Sequence, residues 1–152
     1  MFVGLQQTSL DDKNRIILPA RMRKKVEEAS PTRDIVIVPW LDGCLSIYMP
    51  GEWEQMARKI QGNPYELAEA RRAWRSVFPY AEEAAFDRQW RLLVPKPLLQ
   101  RAGIEKELVI AGMYDHLELW TAAAWRQIEQ QRSLEADIQQ TYDRRQPPPA
   151  KT

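Results

Sequence analysis

Residues 10–20 read Leu-Asp-Asp-Lys-Asn-Arg-Ile-Ile-Leu-Pro-Ala, and residues 86–96 read Phe-Asp-Arg-Gln-Trp-Arg-Leu-Leu-Val-Pro-Lys. Asp, Arg and Pro recur at the same places in both stretches, 76 residues apart (87 − 11). Three aliphatic residues separate the Arg from the Pro in each copy. The pattern predicts a polar loop closed by Asp and Arg, then a short apolar strand, then Pro. Repetition at a fixed offset indicates two copies of one structural module.

The repeat extends beyond these two stretches. Residues 34–38 match residues 107–111 at an offset of 73, and residues 44–48 match residues 116–120 at an offset of 72. Short insertions or deletions in loops explain the drift in offset. We therefore predict a first module over 1–61, a bridging helix over 62–79, a second module with a C-terminal helix over 80–143, and a disordered Pro-rich tail over 144–152.

Each module mixes strands with short helices, which predicts an α+β fold. In the first module the sequence predicts an opening strand over 2–10 and a second strand over 16–18, which together would form a hairpin. Pro cannot continue a paired strand, so Pro19 predicts the start of a short helix. In the second module Gly103 predicts a left-handed helix C-cap. A single long C-terminal helix is predicted from Ala122 to about Tyr142.

The composition is that of an ordinary globular chain, with 152 residues, 44% apolar and 28% charged. No apolar run approaches the ~20 residues that span a bilayer, and the N-terminus lacks the pattern of a signal peptide. The single cysteine, Cys44, cannot form an internal disulfide. We expect a cytoplasmic protein with no membrane partner.

The basic residues concentrate in the repeated stretch, although the formal net charge is only +1. Residues 11–25 carry six basic and two acidic residues, and residues 87–101 carry four basic residues and one acidic residue. A clustered basic face on a near-neutral protein is typical of a protein that binds a polyanion.

The motifs, taken together, resemble those of the MraZ family over roughly residues 1–130. The first half carries Phe2-x-Gly4, Leu10-Asp11-x-Lys13-x-Arg15-Ile16, Pro19-Ala20-x-x-Arg23, Asp42-Gly43-Cys44-Leu45 and Glu52-Trp53. The second half carries Phe86-Asp87-x-x-x-Arg91-x-x-x-Pro95, Ala102-Gly103-Ile104 and Leu117-Glu118-Leu119-Trp120. The resemblance implies two tandem swapped-hairpin β-barrel modules of the AbrB type, with short flanking helices. It also implies a ring-shaped homo-oligomer that acts in the nucleoid as a transcriptional repressor of the division and cell-wall gene cluster.

The two loops depart from the family pattern at the residue before the Arg, where Gly is usual and this chain has Asn14 and Trp90. Asn tolerates a positive φ, so we expect the first loop to keep its turn. Trp tolerates it poorly, so we expect the second loop to differ in shape. Gln89 also replaces a usual Lys, which makes the first loop the stronger candidate for DNA contact.

The candidate DNA-binding residues are polar and basic side chains of the two loops and the helix after the first: Lys13, Asn14, Arg15, Arg21, Arg23, Lys24, Arg88 and Arg91. Asp11 and Asp87 are predicted to structure the loops, either as simple ion pairs or by also orienting the arginines for DNA. Basic residues of the helix would contact phosphates or form a solvated helix face. Trp90 is left open as a core, interface or DNA contact.

We find no catalytic constellation, no metal-ligand spacing and no phosphate-binding Gly-rich loop. The sequence therefore predicts no enzyme, no cofactor, no metal site and no small-molecule substrate. The predicted partners are double-stranded DNA with direct repeats and other copies of this chain, because one weak loop per module would gain avidity in a ring. An antitoxin-like module that binds a partner protein is the alternative.

Overall fold

The computed structural model describes residues 1–61, 66–131 and 133–145. The chain divides into two compact units, Met1–Ala122 and Ala123–Thr152. The strands of the first unit are β1 (Leu5–Ser9), β2 (Arg15–Ile17), β3 (Asp34–Pro39), β4 (Leu45–Tyr48), β5 (Glu82–Ala85), β6 (Arg91–Leu93), β7 (Glu107–Gly112) and β8 (His116–Thr121). Its helices are α1 (Ala20–Ala29), α2 (Pro50–Gln61), α3 (Ala68–Val77) and α4 (Lys96–Ala102), with short 3-10 turns at Leu41–Gly43 and Phe78–Tyr80. Two further helices, α5 (Ala122–Gln131) and α6 (Leu134–Arg145), lead into and form the second unit. The predicted α+β class is confirmed.

The strands form an antiparallel six-stranded sheet in the order β1-β7-β8-β4-β3-β5 and a separate two-stranded ladder of β2 with β6. The two halves of the chain exchange strands, since β1 pairs with β7 and β5 pairs with β3. Adding 76 to the β1 residue numbers and subtracting 73 from the β7 residue numbers gives the β5–β3 pairs, so that Ser9–Glu107 corresponds to Ala85–Asp34. The two repeats are therefore related by an approximate twofold axis. This axis passes through the pairs Ile16–Leu92 and Ser46–Glu118, in which equivalent residues face each other.

The predicted hairpin of the first two strands is wrong. The turn itself forms, since the Asp11 N–H donates to the Arg15 carbonyl at 2.9 Å, but β1 then joins the large sheet while β2 pairs with its own repeat, β6. Pairing the two aliphatic triplets buries Ile16, Leu18, Leu92 and Val94 completely. The sequence of an apolar strand does not identify the strand with which it pairs. Here β2 pairs with β6 because this pairing buries both aliphatic triplets in one core.

The large sheet is open, because β1 and β5 end its strand order within the described residues. The predicted closed β-barrel is therefore not confirmed, although strands are exchanged between the repeats. One apolar core lies under the ladder and includes Ile35, Ile47, Leu108 and Leu119 from the sheet. The predicted module boundaries at 61 and 80 stay predictions.

The helices follow the local signals with two differences. Gly103 has a φ of 68° and caps α4 as predicted. The long C-terminal helix is instead two helices, because Ser133 is not helical and its Oγ accepts the Ala136 N–H at 3.5 Å, as in an N-cap. The bridge contains α3 and a 3-10 turn, while residues 62–65 of the predicted bridging helix and residues 146–152 of the predicted tail lie outside the described residues. No described helix is both long and apolar enough to cross a membrane.

Candidate nucleic-acid interface

The first charged loop is organised by the carboxylate of Asp11. Its Oδ1 accepts the backbone N–H groups of Lys13 and Arg15, each at 2.9 Å, and its Oδ2 accepts Arg15 Nε at 2.7 Å. The Asn14 N–H donates to the Asp11 carbonyl at 3.0 Å, and Asn14 takes the left-handed conformation with a φ of 61°. One aspartate therefore fixes both the loop backbone and the direction of the arginine.

The second loop repeats this geometry. Asp87 Oδ1 accepts the N–H groups of Gln89 and Arg91 at 2.9 and 2.8 Å, and Oδ2 accepts Arg91 Nε at 2.8 Å. Gln89 adds a contact of its own, because its Oε1 accepts Arg91 Nη2 at 3.2 Å. A glutamine in place of lysine thus removes a charge from this loop and adds a second restraint on its arginine.

The expectation that Trp90 would change the shape of the second loop is wrong. Trp90 has a φ of 63°, almost the same as Asn14, and its side chain is only 8% exposed. It packs on Phe86 with ring centroids 5.8 Å apart, and the guanidinium of Arg33 lies 3.7 Å from its ring centroid. Burial of the indole offsets the backbone cost of this conformation. Trp90 is a core residue, one of the three interpretations left open by the sequence.

Arg33 is the contributor that the sequence analysis missed. It donates to the Asp87 carbonyl at 2.9 Å and forms an ion pair with Glu27 at 3.0 Å, so it braces the second loop from the first module. The contact joins residues that lie 54 positions apart, and no local pattern points to it. A positive φ of 62° at Arg33 could not be inferred from the sequence either, because arginine carries no preference for it.

The hydrogen bonds also set the protonation of the two aspartates. The backbone N–H of Arg15 is the main reason that the pKa of Asp11 is lowered, and the N–H of Arg91 has the same effect on the pKa of Asp87. Both carboxylates are therefore ionised at neutral pH. Each loop then presents an arginine whose charge is partly offset by its own aspartate.

The β2–β6 ladder brings the two arginines together on one outward face. Arg15 lies opposite Leu93, and Ile17 lies opposite Arg91. Residues on diagonal positions of such a ladder lie about 7–8 Å apart, so the two arginines occupy diagonal positions of one short face between the loops. Their side chains are 24% and 32% exposed, so each is oriented by its aspartate and still reaches solvent.

The other predicted residues fall into two groups. Lys13 and Arg88 are exposed in the two loops, and Lys24 is 85% exposed with a distant Glu28 partner at 4.0 Å. Arg21 instead donates to the Leu5 carbonyl, and Arg23 donates to the Leu18 carbonyl at 2.9 Å. These two arginines tie α1 to neighbouring backbone, and their contact with DNA stays a prediction.

A second polar cluster lies in the large sheet, away from the loops. Glu118 accepts Trp120 Nε1 at 3.2 Å and the Cys44 thiol at 3.4 Å, and His116 Nε2 lies 3.6 Å from its carboxylate. Burial raises the pKa of the Cys44 thiol to about 12, and Glu118 adds to the rise. A thiol held protonated in this way is a poor nucleophile, which disfavours a catalytic role for Cys44.

Both halves of the chain match one known protein family. The model of a family described as "MraZ protein, putative antitoxin-like" matches residues 1–76 and again residues 77–146. The chain belongs to the MraZ family. The two matches coincide with the two halves that exchange strands, so each MraZ repeat supplies one Asp-x-x-x-Arg loop to the shared ladder.

Relatives of this MraZ-family chain cover most of its length. The "Transcriptional regulator MraZ" of Heliobacterium modesticaldum is 38% identical over 125 residues, which is 82% of this chain and 84% of the relative. Proteins of the same name from Clostridium acetobutylicum and Roseiflexus castenholzii are 35% and 34% identical. They match over 82% and 84% of this chain, and over 84% and 86% of their own lengths.

Proposed function

We propose that this protein is a DNA-binding transcriptional regulator and that the outward face of the β2–β6 ladder with its two loops is the DNA-binding surface. The observation that carries the proposal is the placement of two aspartate-oriented arginines at diagonal positions of that one face. The relatives named as transcriptional regulators support the same function.

In this proposal the two arginines read base edges and the exposed loop residues contact phosphates. A guanidinium fork donates two parallel hydrogen bonds to the O6 and N7 atoms of guanine, and an arginine held in one orientation loses less freedom on binding. Lys13 and Arg88, exposed beside the arginines, would contact phosphates and set the register without reading sequence. Asp11 and Asp87 act as positioning residues.

A single chain carries one such face, and its aspartates offset part of the positive charge. One copy would therefore bind weakly. We propose that several copies assemble as a ring and engage direct repeats, where avidity adds about 10²–10⁴ to the affinity of one copy. The resemblance to MraZ supports a repressor of the division and cell-wall gene cluster, acting in the cytoplasm at the nucleoid.

The first test is fluorescence anisotropy with a duplex from upstream of the protein's own gene and a scrambled duplex of equal length. The wild type should prefer the native duplex, and Arg15→Ala should lose most of that preference. Arg58→Ala is the matched control, since Arg58 is exposed on α2 in an ion pair with Glu54 and leaves the ladder intact. Equal binding of both duplexes by the wild type contradicts the proposal.

The number of repeats tests the avidity. A duplex cut to one repeat should bind far more weakly than the change in site number alone explains, and the loss should be tens-fold or greater if two or more copies engage together. Affinity that falls only in proportion to the number of repeats would exclude cooperative engagement by a ring, while leaving DNA binding itself in place.

Asp11→Ala separates positioning from charge. The substitution makes the protein more positive, which should strengthen non-specific attraction to DNA. It also frees Arg15 and the loop backbone, which lose three hydrogen bonds to the carboxylate. We expect a lower ratio of native to scrambled affinity. An unchanged ratio would show that Asp11 does not position the arginine for reading.

The alternative is an antitoxin-like module that binds a partner protein, which the description of the matching family favours. It predicts that DNA binding is absent or unaffected by Arg15→Ala. The same anisotropy titration therefore distinguishes the two functions.

A further inference from the structure

Two exposed aliphatic side chains, Ile17 and Leu93, share the outward face of the ladder with the two arginines and occupy its other two positions. Strand β2 alternates cleanly, with Ile16 and Leu18 fully buried and Ile17 54% exposed. Strand β6 does the same, and Leu93 is 57% exposed. An exposed position between buried neighbours is ordinarily polar in a strand with one solvated face. Both copies of the repeat carry a branched aliphatic residue there instead.

These aliphatic residues are direct cross-strand neighbours of the arginines. Arg15 faces Leu93 and Ile17 faces Arg91. The flanking pairs Leu18–Trp90 and Asn14–Val94 are joined by backbone hydrogen bonds of 2.8 and 3.0 Å. Because bonded and non-bonded pairs alternate along an antiparallel ladder, the two arginine–aliphatic pairs are of the closer, non-bonded kind. Each arginine thus has a hydrophobic contact surface beside it.

The dimensions of this face fit a DNA groove. The two strands of a ladder lie about 4.8 Å apart, and the major groove of B-DNA, about 12 Å wide, admits a two-stranded β-ribbon with its side chains. Within that groove the one apolar group is the C5-methyl of thymine, which aliphatic side chains contact. Arginine with a neighbouring aliphatic residue matches a guanine next to a thymine.

We propose that Ile17 and Leu93 contact thymine methyl groups in the major groove and so determine sequence specificity beside Arg15 and Arg91. The inference rests on the proposed DNA binding and adds which bases are distinguished. An isologous contact with a second copy fits the face less well, because it would set the arginines of one copy against those of the other.

The test replaces thymine by deoxyuridine in the native duplex, which keeps base pairing and removes only the C5-methyl. For the wild type we expect deoxyuridine to weaken binding about fourfold for each methyl group contacted. Ile17→Ser and Leu93→Ser should bind the thymine duplex more weakly and should each reduce the thymine-to-uracil ratio. Leu41→Ser is the matched control, because Leu41 is 71% exposed and lies in the turn between β3 and β4.

The outcomes are distinguishable. A ratio that falls in the two ladder variants and not in the control supports the inference. Equal affinity of the wild type for the thymine and deoxyuridine duplexes would overturn the inference while DNA binding stands. An affinity ratio that the ladder variants leave unchanged would do the same. Ladder variants that alter only the oligomeric state, measured by light scattering, also overturn it and assign the face to a second copy. Absence of DNA binding by the wild type removes the proposed function and the inference together.

Discussion

Trp90 and Asn14 occupy equivalent places in the two loops with nearly identical backbone conformations, at φ values of 63° and 61°. Replacing each by glycine relieves the same left-handed conformation. The side chains differ, since Trp90 is 8% exposed and Asn14 is half-buried. The structure therefore predicts that the same substitution to glycine strongly destabilises the protein at Trp90 and has little effect on stability at Asn14.

The expected loss of stability in Trp90→Gly follows mainly from burial of the indole. Burial of a tryptophan removes about 150–250 Å² from water, which at about 25 cal/mol per Å² contributes roughly 4–6 kcal/mol. The cation–π contact with Arg33 adds about 0.5–1 kcal/mol. Relief of the left-handed conformation returns about 1–2 kcal/mol. Trp90→Gly should thus lower the free energy of unfolding by about 2.5–6 kcal/mol, while Asn14→Gly should change it by less than about 1 kcal/mol.

Urea denaturation followed by circular dichroism measures both. With a slope of about 2 kcal/mol per molar urea, Trp90→Gly should lower the urea midpoint by about 1.2–3 M and Asn14→Gly by less than about 0.5 M. Trp90→Ala, which keeps the unfavourable φ, should be less stable than Trp90→Gly by about 1 kcal/mol. A Trp90→Gly protein as stable as the wild type would refute the assignment of Trp90 to the core.

Three further predictions concern the sheet and α2. Gly112→Ala should lower the free energy of unfolding by about 1–3 kcal/mol in thermal denaturation, because the new Cβ would lie 2.6 Å from the backbone of Val3. Gly51→Ala in α2 is the control, because its Cβ would meet open space. It should be neutral or stabilising by up to about 1 kcal/mol. The Cys44 thiol is 2% exposed, so Ellman's reagent should label it only at the rate of unfolding, and labelling that is fast in native buffer would contradict its burial. Burial lowers the pKa of His116, but the carboxylates of Glu118 and Asp115 outweigh it and raise that pKa above 6.5. The stability contributed by His116 should therefore be complete below pH 6.5 and decline as the pH rises through its folded pKa, and urea midpoints of His116→Gln should lack this upper decline.

Local features were predictable because their causes are local. The Asp-to-Arg spacing predicts the ion pair found in each loop, and Gly103 predicts the left-handed end of α4. The aliphatic triplets predict strands β2 and β6, although the hairpin partner predicted for β2 is wrong.

The features of the fold and of the candidate site that the sequence does not predict depend on contacts between residues far apart in the chain. The exchange of β1 and β5 between the halves is decided by how both copies bury their apolar faces, and neither copy shows it alone. Trp90 was misjudged because its backbone preference was weighed without the burial that offsets it. The role of Arg33 is not predictable from its local sequence, because the loop residues that it contacts, Asp87 and Trp90, lie in the other module.

The salt dependence of DNA binding tests the central claim most directly. Anisotropy titrations of the native duplex between about 50 and 200 mM salt give the slope of log affinity against log salt, which counts the phosphate charges neutralised and is near −0.9 for each. For the wild type we predict a steep slope. The double variant Lys13→Ala/Arg88→Ala removes the proposed phosphate contacts of both loops and should lose affinity with a shallower slope, while Arg58→Ala keeps the wild-type values. Wild-type affinity and slope in the double variant would contradict the assignment of the ladder face and its loops to DNA.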